Sequence, residues 1–178
     1  RGRSPLLLAS LLLLQILISL PRLNKPFLEG RNLWDFDGAT FLLKAIHSQD
    51  QELPSRAGVF GLKGYDYDSE GAVAGFTHYH HHPTLPSLLF NAYTRVFGFH
   101  HWAPRTYALL FSLLTTVVIF FLLRSAVGAE GLATALTLLY VVLPLNFNYQ
   151  DAWKHENVAA LFVWLCFLCL YHMDKARP

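Results

Sequence analysis

The sequence predicts an all-α membrane protein, a polytopic helical bundle with about four transmembrane helices and a long outer loop carrying two amphipathic interfacial helices. Three observations predict it. Of the 178 residues, 53% are apolar and only 15% charged, and the mean hydropathy is +0.32, a balance outside that of an ordinary soluble domain. The apolar residues gather into four runs, Leu6 to Leu20, Thr106 to Leu123, Leu132 to Leu145 and Val158 to Tyr171. Each run is about 14–18 residues, and flanking small and aromatic residues extend it toward the roughly 20 that cross a bilayer core. Finally, the acids, histidines and arginine able to do chemistry collect at the ends of these runs rather than in their middles.

The spans are placed at about 6–21, 106–123, 132–147 and 157–172, with an outer loop over 22–104, in a single transmembrane region over 1–178. Arg1 and Arg3 precede the first run as in a signal peptide. No small-x-small cleavage site follows Leu20, and further spans lie downstream, so the run reads as an uncleaved anchor. The chain opens on Arg1 and stops just past an apolar run, and it reads as the N-terminal portion of a longer protein. Arg1, Arg3, Arg124, Lys175 and Arg177 gather on one side if the N-terminus is inside, whereas the loop from Asn146 to Asn157 carries Lys154 against Asp151 and Glu156. The positive-inside tendency therefore puts the long loop and the 146–157 loop outside. Arg22, Lys25 and Arg31 disagree, but they belong to a loop of about 80 residues, and long loops follow the tendency poorly. Trp34, Trp102, Tyr149 and Trp153 then share one interface, as an aromatic belt does.

Within the long loop, Asp37 is placed to cap a short helix running to about His47, with Phe41, Leu42, Ala45 and Ile46 on one side. The acidic, glycine-containing stretch from Gln49 to Gly75 reads as irregular. Pro83 opens a second helix, in which Leu85, Leu88, Leu89, Ala92 and Val96 recur at helical spacing, and Gly98 closes it. Amphipathic helices beside a span tend to lie in the interface plane, which would hold Asp37 and His82 near the bilayer surface.

The net charge of +2 is small and the bases are scattered, so nucleic acid is set aside. Cys166 and Cys169 lie inside an apolar run and read as small packing residues, with no disulfide framework. Asp35 and Asp37 are two apart, so their side chains diverge on a strand and lie about 200° apart on a helix, and they form no clamp without a turn. Neutral imidazoles at His78, His80, His81 and His82 are able ligands for a transition metal, but no acid or cysteine lies close in sequence and adjacent histidines point different ways. His82, just before Pro83, is the member singled out. Arg105 either snorkels at the mouth of the second span or recognises a phosphate, which its planar fork matches. Asp151 and His155 are four apart and share a face if the fourth span begins early, with Glu156 turned about 140° from Asp151. These three are either functional or simply the polarity of a membrane-edge loop, where such groups cost little.

Four local patterns, taken in order, resemble the N-terminal part of the integral-membrane GT-C glycosyltransferases, in the protein O-mannosyltransferase and lipid A aminoarabinose transferase branch. Asp37-Gly-Ala-Thr-Phe41 follows the first span where the family has an Asp-Glu-x-x-Tyr-like motif. His82-Pro83-Thr84-Leu85 looks like its His-Pro-Pro-Leu box, and Trp102-Ala-Pro-Arg105 like its Trp-x-x-Arg opening of the second span. Asn148-Tyr-Gln-Asp151 looks like its polar motif between the third and fourth spans. Gly38 stands where the family has a second acid, Thr84 where it has a second proline, and the acidic Gly64 to Gly75 stretch lengthens the first loop.

The resemblance implies transfer of a sugar from a polyprenyl-phosphate donor to a protein or a lipid or glycan acceptor, at the outer or lumenal face of a plasma, inner or ER membrane. It implies Asp37 as general base, Asp151 as the second acid of the site, Arg105 as the cation steadying the lipid phosphate, and His82 as shaping the first loop. His155 and Glu156 are the further candidates for binding substrate. No resident metal is assigned, although a divalent cation is compatible with such a site. The rival reading is a non-catalytic membrane protein, a transporter or assembly subunit, and a third is a histidine-rich metal-binding membrane protein.

Overall fold

In a computed structural model, residues 3–23, 85–98, 100, 102–143 and 155–175 are described. They form five helices, α1 (Ser4–Leu23), α2 (Leu85–Phe97), α3 (Ala103–Val127), α4 (Glu130–Val142) and α5 (His155–Lys175). The described residues contain no strand, as the sequence predicts. The expected helix near residues 37–47 lies outside them. The chain divides into two units, one of Arg1–Lys25 with Arg105–Pro178 and one of Pro26–Pro104.

In the first unit, α1, α3 and α5 are long and apolar enough to cross a membrane. The protein is thus a helical membrane protein, although the helices depart from the expected limits. α3 runs 25 residues, from Ala103 to Val127, beyond the 106–123 read from hydropathy. Polar ends dilute a hydropathy window without breaking backbone hydrogen bonds, so the helix continues until a residue can leave it. That residue is Gly128, at φ +73, whose N–H bonds the Arg124 carbonyl at 3.1 Å in the left-handed conformation typical of a helix end. α1 extends through Pro21 to Leu23, so Arg22 is on the helix rather than in the loop. The missing N–H of Pro21 falls in the last turn, where it costs one hydrogen bond and no more of the span.

α4 differs most. The sequence pattern suggests a span over 132–147, whereas the helix covers 13 residues and ends at Val142, about 20 Å of rise. Leu143 closes it with ψ 133. Pro144 follows in the sequence, and a residue before proline is pushed out of the helical region in this way. By length alone α4 falls short of the ~30 Å hydrocarbon core.

The core of this unit is α3. Tyr107, Ala108, Leu109, Phe111, Val118, Ile119 and Phe120 are buried along it, while Leu110, Leu114 and Phe121 are exposed. α1 meets it through polar groups in mid-helix. Gln15, fully buried, donates from Nε2 to Ser112 Oγ at 2.8 Å and accepts at Oε1 from Thr116 Oγ1 at 2.8 Å. Both ends of one amide are therefore satisfied by one helix. Interhelical hydrogen bonds of this kind contribute on the order of 0.6 kcal/mol each inside membranes. The hydroxyls also bond their own backbones, Thr115 to the Phe111 carbonyl at 2.8 Å and Thr116 to the Ser112 carbonyl at 3.1 Å. Lipid offers no partner to a stray donor, so each hydroxyl carries its own.

α1 also packs on α4. Ala133, Thr137 and Val141 are fully buried at a spacing of four, a small-residue stripe that lets two helices approach closely. On α1 the buried positions are Ser4, Leu11, Gln15 and Ser19. Thr137 turns its hydroxyl back to the Ala133 carbonyl at 2.8 Å, which leaves the stripe apolar toward its neighbour.

One end of the unit is closed by ionic and hydroxyl contacts. Arg124 pairs with Glu130 at 3.1 Å, and Ser4 hydrogen-bonds Glu130. Tyr171 donates to the Ser125 carbonyl, as does Lys175 Nζ at 3.4 Å, and Lys175 also lies 4.6 Å from the Tyr171 ring centre. The start of α1, the end of α3, the start of α4 and the end of α5 therefore meet here. The topology alternates, and the N-termini of α3 and α5 emerge at the opposite end.

In the second unit the described residues are α2 and the segment that follows it. α2 covers Leu85–Phe97, with Pro86 in its first turn, and Pro83, expected to open it, lies outside the described residues. Gly98 ends it as the sequence suggests, at φ +80, its N–H bonding the Thr94 carbonyl at 2.9 Å. The buried positions are Pro86, Phe90, Asn91 and Thr94. The face of Leu85, Leu88, Leu89, Ala92 and Val96 is the more open one, half-buried or exposed throughout.

Candidate functional site

Arg105 occupies the first turn of α3 and is half-buried. The helix is launched by Ala103, whose N–H bonds the His100 carbonyl at 2.8 Å, and by Pro104, whose lack of an N–H costs nothing in a first turn. His100 stacks on Trp102, ring centres 4.9 Å apart. Trp102 is half-buried and is the member of the expected aromatic belt that the described residues include.

The electrostatics of Arg105 are informative. The N-terminus of a helix carries about half a positive charge, which favours anions by roughly 0.3–1 kcal/mol. A guanidinium there adds to that field rather than being steadied by it. Together they make an end of α3 suited to an anion, and a planar fork matches phosphate geometry.

Glu156 lies in the first turn of α5 and is exposed. An acid is favoured by the helix field at that position. His155 is the first residue of α5. Arg105, His155 and Glu156 therefore stand at helix N-termini on the end of the first unit opposite the Arg124–Glu130 contacts. Nineteen residues separate Arg105 from Arg124, about 28 Å of helix rise, close to the thickness of a hydrocarbon core. Asp37, His82 and Asp151 lie outside the described residues, as do His78, His80 and His81. Among the described residues no group of three or more histidines, cysteines or acids is placed to hold a metal.

Cys166 and Cys169 are free thiols on the exposed side of α5, whereas the packing positions of that helix are Val158 and Leu161. The sequence reading missed the Gln15–Ser112–Thr116 contact. A glutamine in the middle of a leucine run was its visible signal, because a lone amide in lipid must find a partner.

The sequence profile of the dolichyl-phosphate-mannose-protein mannosyltransferase family matches residues 81–177, more than half of the chain. The chain belongs to this family. Its activity class is accordingly that of a mannosyltransferase-type glycosyltransferase of the GT-C type. The matched segment takes in α2, α3, α4 and all of α5, and with them His82, Arg105, Asp151, His155 and Glu156. Asp37 precedes it. No curated protein and no solved structure matches the chain.

Proposed function

We propose that this mannosyltransferase-family chain moves a sugar from a polyprenyl-phosphate donor to a protein or a lipid or glycan acceptor, at the outer or lumenal face of its membrane. The observation that carries the reading is Arg105, half-buried in the first turn of α3 and inside the matched segment, at the end of the bundle where the helix field also favours an anion. A lipid phosphate anchored in the bilayer presents its charge at that depth. The acceptor oxygen attacks the anomeric carbon, the bond from that carbon to the phosphate oxygen breaks, and the lipid phosphate leaves with the electron pair. Arg105 offsets the charge that grows on the leaving phosphate. Asp37 takes the acceptor proton, Asp151 is the second acid of the site, His82 shapes the first loop, and His155 and Glu156 bind substrate.

A transporter or assembly subunit is the rival. Transporters place their key polar groups near the bilayer midplane, often on broken helices. The mid-helix polar groups described here, Gln15, Ser112 and Thr116, are neutral and bonded to one another, which suits packing rather than a substrate path.

The test is a turnover assay on the full-length protein in membranes, supplied with labelled polyprenyl-phosphate mannose and read as release of free polyprenyl phosphate. Wild-type release that Asp37→Asn abolishes, with folding intact, supports both the class and the base. Normal turnover in Asp37→Asn removes the base assignment. No release from well-folded wild type with any of several donor sugars favours the rival.

A further inference from the structure

All the sulfur of this chain lies on one stripe of one helix. The 178 residues hold two cysteines and one methionine, and Cys166, Cys169 and Met173 all fall on α5. At 3.6 residues per turn the three lie within an arc of about 60° and about 10 Å of rise. The sequence reads the cysteines as small packing residues, but the structure leaves both exposed as free thiols, with Met173 60% exposed on the same stripe. Packing inside the bundle therefore gives no reason for sulfur at these positions. His172 is one turn from Cys169, but its ring stands edge-on against Tyr171, ring centres 5.6 Å apart, which leaves the thioether as the third group on the stripe.

We infer that Cys166 and Cys169, with the thioether of Met173 as a third ligand, form a binding site for a soft monovalent cation, copper(I) being the biological example. The spacing suits it. Residues three and four apart on a helix have Cβ atoms roughly 5–6 Å apart. A metal that bonds each sulfur at about 2.3 Å draws two sulfurs to within about 4.6 Å, which side chains on consecutive turns reach by turning about χ1. The ligand chemistry selects the ion. Thiolate and thioether are soft ligands that suit copper(I), whereas structural zinc takes four ligands and magnesium and calcium take oxygen. Among the described residues no group of three or more histidines, cysteines or acids is placed to hold a metal, so neither of those harder sets is completed here. The surroundings agree. Cys166 stands ten residues after Glu156 and nine before Lys175, midway along a helix apolar enough to span, with Phe162 and Leu170 exposed beside it. A weakly hydrated soft cation enters such a place more readily than a strongly hydrated hard one. The two thiols release their protons to water as the cation binds. The inference stands whether or not the transferase chemistry proposed above is right.

The experiment offers copper(I), held by a chromogenic chelator under reducing, oxygen-free conditions, to the full chain in lipid nanodiscs. The expected result is equimolar transfer of copper to the wild type, read as loss of the chelator's colour and growth of a thiolate-to-copper charge-transfer band. The double variant Cys166→Ala with Cys169→Ala should take up none, and Met173→Leu should bind more weakly. All three positions are exposed, so the variants disturb little packing, and unchanged thermal unfolding checks it. Undiminished uptake by the double variant places the metal on other residues, the histidines at 78–82 among them, and overturns the inference. No uptake by well-folded wild type overturns it equally. Met173→Leu binding as tightly as wild type overturns the part given to Met173. Half an equivalent of copper with a shift to twice the mass shows thiols bridged between two chains and overturns a site on one helix. Zinc displacing copper on equal terms overturns the soft monovalent class.

Discussion

At the scale of single residues, Gln15 has the most to lose. Its amide satisfies Ser112 and Thr116 together, so Gln15→Leu removes two interhelical hydrogen bonds and keeps the volume. The hydroxyl of Thr116 retains the Ser112 carbonyl, which limits the damage to about 1 kcal/mol. Unfolding in mixed detergent should show that loss. Adding Ser112→Ala to Gln15→Leu should cost less than the sum of the two single changes, because they remove a shared contact. A fully additive pair would mean the amide acts through packing alone. Arg105 invites a different comparison. Arg105→Lys keeps the charge and loses the fork, and Arg105→Gln loses both. If Arg105 holds the donor phosphate, the apparent donor KM should rise for lysine and further for glutamine, by roughly 10-fold or more from the loss of a charged hydrogen bond. Equal behaviour of the two variants would leave Arg105 an interfacial cation. The residue types at these positions were legible beforehand for Arg105, His155 and Glu156, which sit where apolar runs begin. Gln15 was not, because a single polar residue within leucines does not say which helix it will meet.

At the scale of elements, the two positive-φ glycines separate two physical costs. Gly98 has φ +80, and a Cβ there would meet His100 Nε2 at 3.0 Å. Gly128 has φ +73 with nothing within 4 Å. Alanine at either position carries the left-handed backbone penalty of roughly 1–2 kcal/mol. At Gly98 alone it must also displace an imidazole. Thermal unfolding should therefore show Gly98→Ala lower than Gly128→Ala, and His100→Ala should narrow the gap between them. The α1–α4 contact is tested by Ala133→Leu. Ala133 has no exposed surface, and the added bulk should cost about 1–3 kcal/mol through overpacking. The same change at exposed Ala135 should cost little. Hydropathy located α1, α3 and α5 well because apolar runs of about 14–18 residues have few uses outside a membrane. It misjudged their ends, where Arg22, Arg124 and Lys175 continue the helices. It overestimated α4, because the apolar run passes on through Pro144 in the sequence while the helix ends at Val142. For α2 the spacing picked out the aliphatic face, and only the structure shows that the protein leaves this face open and covers Phe90 and Thr94 instead.

For the molecule as a whole, the alternating topology makes a clear statement about sidedness. The contacts among Ser4, Arg124, Ser125, Glu130, Tyr171 and Lys175 close one end, and Arg105 and Glu156 lie at the other. A cysteine at Ala129 and one at Glu156 should therefore react with membrane-impermeant maleimide from opposite faces of sealed vesicles. Labelling of both from one face would break the bundle described here. The positive-inside tendency further expects Ala129 on the cytoplasmic side. The broad activity class was legible from four short motifs in order, and the matched family agrees with it. The acids that would do the chemistry were legible only as types at plausible places, because a lone aspartate after a span reads equally as a helix cap.

The Gln15 contact also sets a schedule. Its two partners are made 97 and 101 residues later. At roughly 5–20 residues per second of synthesis, the amide waits on the order of 5–20 s before α3 exists to receive it. During that interval α1 carries an unpaired polar group that hydrocarbon disfavours, so the nascent helix gains by remaining beside the insertion machinery instead of drifting into lipid. Nascent chains halted before Ser112 emerges should stay crosslinked to that machinery through α1, and chains halted after α3 has inserted should let go. Replacing Gln15 with leucine should release the early chains too.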